Sequence, residues 1–184
     1  MGETLDDAKR TLSYPINAGI KPEWEREIRE ELERRDPDWV MKGIVPEVVF
    51  EDEGLKAKIL EDRPWEYETA KRLTAKGYPF DFQYDYRHHF DSNKGIWQTK
   101  GLSDDSNGKE LKYVTKEATS ASSVVSNAYA RARKKEGVGL LIIDNKDSII
   151  SDAEIIYEVS RRVESRTFIP TIIIGKSGNL AFVK

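Results

Sequence analysis

The stretch DDSNGKELKYVTK, residues 104–116, places two aspartates before a polar turn and a Glu-x-Lys pair at the start of a strand pattern. Side chains alternate along a strand, so Glu110 and Lys112 project from one face and Leu111 and Tyr113 from the other. If residues 104–109 form a tight turn, Asp104 and Asp105 lie across a hairpin, within reach of Glu110. Converging carboxylates make a hard oxygen site suited to Mg2+ or Mn2+. Such a cation lowers the pKa of a bound water and offsets the charge of a scissile phosphate. A lysine beside it can orient that water or stabilise charge building on phosphorus. The set suits phosphodiester hydrolysis. Its plainer reading is a solvated hairpin, with DDSNG as turn chemistry and Glu-x-Lys facing water.

A further carboxylate stands upstream. In EYETAKRLTAKGY, Glu66, Ala70 and Leu73 share a helix face by their spacing. Ala70 and Leu73 must pack on a sheet, so Glu66 points the same way and calls for a positive partner. A metal ion is one such partner. An acid in the first helical turn also suits the helix dipole without any ligand. His88 and His89 offer a metal-independent chemistry, one as general base with Arg87 or a lysine on the phosphate. Paired histidines in a polar loop are equally ordinary surface residues. Arg131, Arg133, Lys134 and Lys135, within ARARKK, are candidate phosphate contacts. They are also what a solvated helix C-terminus favours. Trp24, Trp39, Trp65 and Trp97 read as core or interface anchors, and Trp97 or Tyr86 could stack on an unpaired base.

The elements that must hold these residues follow from periodicity. PEWEREIREELERR predicts a helix over about 22–35 with Trp24, Ile28 and Leu32 as a narrow apolar stripe. GIVPEVVFEDE (43–53) predicts a short strand, which Pro46 assigns to a sheet edge. A second helix follows, with Asp62 as N-cap, Pro64 in its first turn and Gly77 as its stop. YPFDFQYDY (78–86) alternates as a strand, RHHFDSNKG reads as a loop, and IWQTKGL and ELKYVT as strands. SASSVVSNAYARARKKEG is a helix with Val125, Ala128 and Ala132 on one face. VGLLIID is a strand covered on both faces. Ser151 and Glu154 form a capping box for the next helix. TFIPTIIIG and NLAFVK close the chain as a hairpin.

Early strands joined by short turns should be antiparallel, and the later strand–helix–strand unit parallel. The chain divides into an acidic, mainly helical segment, 1–60, and a helix–strand core, 61–184. The segment reads as a delivery, entry or partner-binding element. The 184 residues are 38% hydrophobic and 34% charged, with a net charge of −3, which argues against a strongly basic nucleic-acid binder. The core itself is mildly basic. The absence of cysteine excludes disulfides, thiolate zinc sites and a cysteine nucleophile. No apolar run reaches the length of a membrane span, and no secretory signal is readable at the acidic start.

A helix with an inward Glu, then KGY, then strands bearing Asp and Glu-x-Lys, then a helix and a strand, resembles the PD-(D/E)XK nuclease core. Residues 61–184 resemble more specifically the C-terminal tRNA nuclease domain of CdiA-type contact-dependent growth inhibition toxins and related polymorphic toxins. The likeness rests on AKRLTAKGY, NGKELKYVT, the Ser/Ala-rich helix with ARARKK, LLIID, SDAEIIYEVSRR and TIIIGKSGNLAFVK. It implies an α/β fold with a mixed sheet flanked by helices, and metal-dependent cleavage of tRNA in the cytoplasm of a target bacterium. It also implies delivery within a larger protein and a cognate immunity protein as partner. Carried over by position, Glu66, Asp104 or Asp105, and Glu110 hold Mg2+ or Mn2+, Lys112 assists the water, and Asp91 is a fallback for the aspartate. The alternatives are a DNA-acting nuclease of the same fold and a non-catalytic binding module.

Overall fold

Local sequence sets most element ends. The computed structural model describes residues 21–35, 47–91, 93, 96–105, 108–135 and 137–184; for 84–91 and 96–105 only the backbone is considered. The chain separates into two compact units, Met1–Val45 with Lys109–Lys184, and Pro46–Gly108. Among the described residues they hold five helices and two sheets, the mixed α/β architecture that the element order predicts. No helix among them is long and apolar enough to cross a membrane.

In the smaller unit, β1 (Val48–Phe50) pairs in parallel with β2 (Phe80–Asp91), and β2 pairs antiparallel with β3 (Ile96–Asp105). β1 is an edge strand, as Pro46 suggested. Two helices follow β1: α2 (Glu53–Asp62) and α3 (Pro64–Thr74). The Asp52 side chain caps α2 by accepting from Leu55 N at 2.7 Å. This helix has no strong apolar stripe and is absent from the sequence expectation. Asp62 therefore ends α2 instead of capping α3, whose first position is Pro64. The core of this unit joins Leu55, Ile59, Ala70 and Leu73 to Tyr78, Phe80 and Phe82, all buried. Phe82 stacks on Phe50 at 5.2 Å and meets Phe80 edge-on at 4.9 Å.

Two expectations fail here. RHHFDSNKG is not a loop from its start: β2 continues to Asp91, because its cross-strand partners extend to Ile96. Asp104 and Asp105 do not sit in a turn opposite Glu110. They are the last residues of β3, in register with Tyr84 and Gln83 of β2. The long aromatic strand β2 satisfies the backbone of β3, so the expected hairpin to the next strand does not form.

The larger unit carries β4 (Lys109–Tyr113), β5 (Leu140–Asp144), β6 (Thr171–Ile174) and β7 (Leu180–Val183), in that order across one sheet. β4, β5 and β6 are parallel and β7 is antiparallel to β6, as expected for crossover units followed by a hairpin. Leu140 to Ile143 are buried throughout, the mark of a strand covered on both faces. α4 (Ala121–Lys134) buries Val124, Val125, Ala128, Tyr129 and Ala132. α5 (Asp152–Ser160) starts at the expected Ser151–Glu154 capping box. α1 (Pro22–Arg35) buries Trp24, Ile28 and Leu32 and packs on β7. Arg35 fastens its end by donating to Gly139 O at 2.5 Å. A Cβ at 139 would stand 2.5 Å from Arg35 Nη1, so a side chain there would displace the Arg35 guanidinium from this contact.

Candidate functional site

β4 is short, and its first three residues are buried. Leu111 pairs in register with Ile142 of β5, which fixes the alternation of the strand. Glu110 and Lys112 then share the opposite face. α4 returns along that side. Val124 and Ala128 are buried, and Arg131 and Lys135 continue the same helical stripe at seven and eleven residues from Val124. The stripe thus turns from apolar to cationic where it meets β4.

The Glu110 carboxylate is 4% exposed. Its Oε2 lies 2.6 Å from Lys135 Nζ, and its Oε1 lies 3.9 Å from Arg131 Nε. The two cations are much more open, Lys135 at 35% and Arg131 at 59%. Lys112 is half-buried. Desolvation, and then the charge of Arg131, hold its ammonium below the ordinary lysine range. One buried carboxylate therefore sits among three cations. Two of those reach solvent, where a polyanion can meet them.

The remaining candidate residues lie elsewhere. Arg133 turns to the other side of α4, donating to Tyr129 O at 3.2 Å and to Thr167 Oγ1 at 2.9 Å. Lys134 is exposed. Glu66 belongs to the smaller unit, where its 13%-exposed side chain lies 3.6 Å from Arg63 Nη1. The positive partner anticipated for Glu66 is thus supplied, at least in part, by the residue before Pro64. The side chains of Asp91, Asp104, Asp105, His88, His89, Tyr86 and Trp97 lie outside the described residues.

Sequence reasoning assigned Arg131 and Lys135 to phosphate and missed that both face Glu110. The Val124, Ala128, Arg131, Lys135 spacing was the available signal. Lys109, buried at the strand start, was also missed. No sequence signal marks it.

A divalent cation asks for hard oxygen ligands and a site that accepts positive charge. Glu110 offers a single buried carboxylate, and Lys135 and Arg131 already lie against it, so the described residues around it supply one hard ligand in a cationic setting and do not by themselves fit a divalent cation. The last turn of α4, with Arg131, Arg133 and Lys134, is the helix end that favours cations. Among the described residues no cluster of three or more acidic or histidine side chains forms a metal site by itself.

The described residues define a mixed α/β protein with a buried carboxylate at a cationic helix end. Among solved structures, a chain of a CdiA-CT/CdiI toxin and immunity complex from Burkholderia pseudomallei is similar, at 15% identity and a TM-score of 0.42, over 72% of this chain and 89% of that one. No family model matches the sequence, and no curated protein matches it.

Proposed function

We propose that this chain is a metal-dependent ribonuclease toxin that cleaves tRNA, with its catalytic centre at Glu110 and Lys112. The observation that carries the reading is the convergence on one face of β4. A buried carboxylate and a desolvated lysine lie two residues apart, flanked by Arg131 and Lys135. Chemistry on a phosphodiester needs a group to handle the nucleophile, charge to stabilise the phosphorane, and cations to hold the backbone. This face offers each. The tRNA substrate, the target-cell cytoplasm and an immunity partner come from the resemblance of residues 61–184 to CdiA-type nuclease domains.

In this reading Glu110 would be the β4 ligand of Mg2+ or Mn2+, with further oxygen ligands needed beyond the residues that surround it. The ion, when bound, supplies an acidified water and neutralises phosphate charge. Lys112 would orient the attacking water and stabilise the charge that builds on phosphorus. Its lowered proton affinity eases a proton transfer that an ordinary lysine would resist. Arg131 holds a neighbouring phosphate at the open side of the site.

Incubation of the full chain with total tRNA and with plasmid DNA, with Mg2+ and with chelator, tests the proposal. Mg2+-dependent cleavage of tRNA alone is expected. Glu110→Ala should lower it about a thousandfold, roughly 4 kcal/mol of barrier. Cleavage of plasmid but not tRNA would replace the substrate class, and full activity of Glu110→Ala would remove the site.

A further inference from the structure

We propose that the end of α4 over β4 is a phosphate subsite that the free protein fills with its own Glu110 carboxylate, so that an RNA phosphate binds by exchanging with Glu110 for the Lys135 ammonium. The inference rests on the RNA-binding part of the reading above and adds to it a residue that sets affinity. Three observations carry it. The first is the balance of charge. Among the described residues, the Glu110 carboxylate lies against Lys135 and Arg131. Lys112, on the same strand face, lies within electrostatic reach of Arg131. Three cations around one carboxylate leave an excess of positive charge, and such a setting invites a second anion.

The second is the unequal placement of the partners. Glu110 is 4% exposed, whereas Lys135 is 35% and Arg131 59% exposed. The anion is fixed inside and both cations reach solvent. Residues four apart on a helix are neighbours, so positions 131 and 135 lie side by side on α4. The third is the difference between the two contacts. Lys135 Nζ lies 2.6 Å from Oε2, a charge-assisted hydrogen bond, and Arg131 Nε lies 3.9 Å from Oε1, a looser pair. A phosphate oxygen offers an ammonium the same kind of bond as a carboxylate. When Lys135 turns to a phosphate, Arg131 remains beside Oε1, so the buried carboxylate keeps a cation. Lys135 is also the C-cap residue of α4, already out of helical conformation at ψ 132. Its flexible stem can carry the ammonium into water while the helix stays packed.

RNA that binds this face must therefore replace an existing ion pair. Its affinity and its salt dependence are lower than three unengaged cations would give. The carboxylate so restrains indiscriminate attraction of polyanions to the end of α4.

The test is fluorescence anisotropy of labelled total tRNA with the full chain, in chelator to prevent cleavage, over a range of salt. Wild type, Glu110→Gln, Glu110→Asp and the doubles Glu110→Gln/Lys135→Met and Glu110→Gln/Lys146→Met are compared, each checked for folding by circular dichroism. Lys146 is exposed beyond the far end of β5, and the two doubles carry the same net charge. Glu110→Gln should bind tRNA about tenfold more tightly than wild type. Its slope of log affinity against log salt should steepen by about one. Glu110→Asp, whose shorter side chain draws the carboxylate back from Lys135, should give a smaller gain of the same sign. The double with Lys135→Met should lose the gain, and the double with Lys146→Met should keep most of it. Unchanged or weaker binding by both single variants overturns the exchange while leaving RNA binding intact. Equal loss of the gain in the two doubles overturns it too, because net charge alone would explain the effect. No saturable tRNA binding by any variant would overturn both the exchange and the RNA reading.

Discussion

Glu110 and Asn145 are both buried polar residues of the unit that carries β4 to β7, yet their partners differ in kind. Asn145, at the end of β5, gives its backbone N–H to Ile174 O at 2.9 Å. Its amide nitrogen donates to Ile150 O and to Asp152 Oδ1, each at 2.9 Å, and its amide oxygen accepts from Ser148 Oγ at 2.5 Å. Asp152 in turn accepts from Lys176 N at 3.0 Å, and the Lys176 ammonium donates to Ser148 O. This network ties the β5–α5 connection to the β6–β7 turn, largely through backbone groups. Among the described residues, Glu110 is held by the ends of two long side chains. A group bonded to backbone can lose its partners only if the loop opens. A carboxylate held by flexible cations can exchange them at constant fold. Buried polarity of the first sort specifies structure, and buried polarity of the second sort is available for chemistry.

The largest stability effect that follows from this contrast is at Asn145. Asn145→Ala leaves Ser148, Ile150 and Asp152 short of partners and should cost about 2–3 kcal/mol in urea unfolding. If the proposed nuclease reading holds, the fraction that remains folded should keep its specific activity. Glu110→Gln should show the reverse pattern. Its loss of stability should be nearer 1 kcal/mol, because Lys135 and Arg131 regain water, and its activity should collapse. Comparable stability losses at the two positions would erase the distinction.

Tyr129 sharpens it on the same helix that bears Arg131. Its hydroxyl is fixed by Ile169 O at 3.0 Å and by Thr171 Oγ1 at 2.7 Å. Burial pushes its pKa from the ordinary 10 up to about 12, with the Thr171 hydrogen bond working in the opposite direction. In the folded protein the phenol keeps its proton to about pH 12, whereas in the unfolded chain it loses it near 10. The associated stabilisation is therefore complete below about pH 10 and declines as pH rises from 10 to 12. Tyr129→Phe should cost about 1–2 kcal/mol at neutral pH. Unfolding curves taken between pH 10 and 12 should fall less steeply for the variant than for wild type. Parallel curves would show that this hydroxyl is not the titrating group.

Much of the larger unit was legible because its signals are local. LLIID declares a strand covered on both faces, Ser151 and Glu154 declare a helix start, and the 24/28/32 stripe declares the buried side of α1. The hairpin expected between Asp105 and Glu110 was not, because strand pairing is decided by which distant backbone is on offer. β4 found β5 and β3 found β2, and the polar sequence between β3 and β4 carries no information about either choice. α2 went unseen because its apolar positions, Leu55 and Ile59, are too few to set a period. Within the candidate site the Glu110–Lys112 face followed from strand alternation alone. The pairing of Glu110 with Lys135 did not, since it depends on where α4 comes to rest over β4. The packing of α1 on β7 was equally non-local: its stripe showed that it packs, but not against what.

The smallest effect separates two arginines one residue apart but one. Positions 131 and 133 lie about 200° apart around a helix, on nearly opposite sides. Arg133 is committed to Tyr129 O and Thr167 and so behaves like the Asn145 class of polar group. Arg131 is 59% exposed, with a 3.9 Å ion pair as its contact to Glu110, and so belongs with the exchangeable partners. If the β4 face is where RNA lies, Arg131→Ala should weaken binding of tRNA, measured in chelator to prevent cleavage. It should also reduce the slope of log affinity against log salt by about one. Arg133→Ala should leave that slope unchanged and lower stability slightly instead. Equal losses of slope from the two variants would mean that phosphate contacts wrap the whole end of α4. The anionic substrate would then be attracted by the helix terminus in general, and the Glu110 face would lose its claim to position the scissile bond.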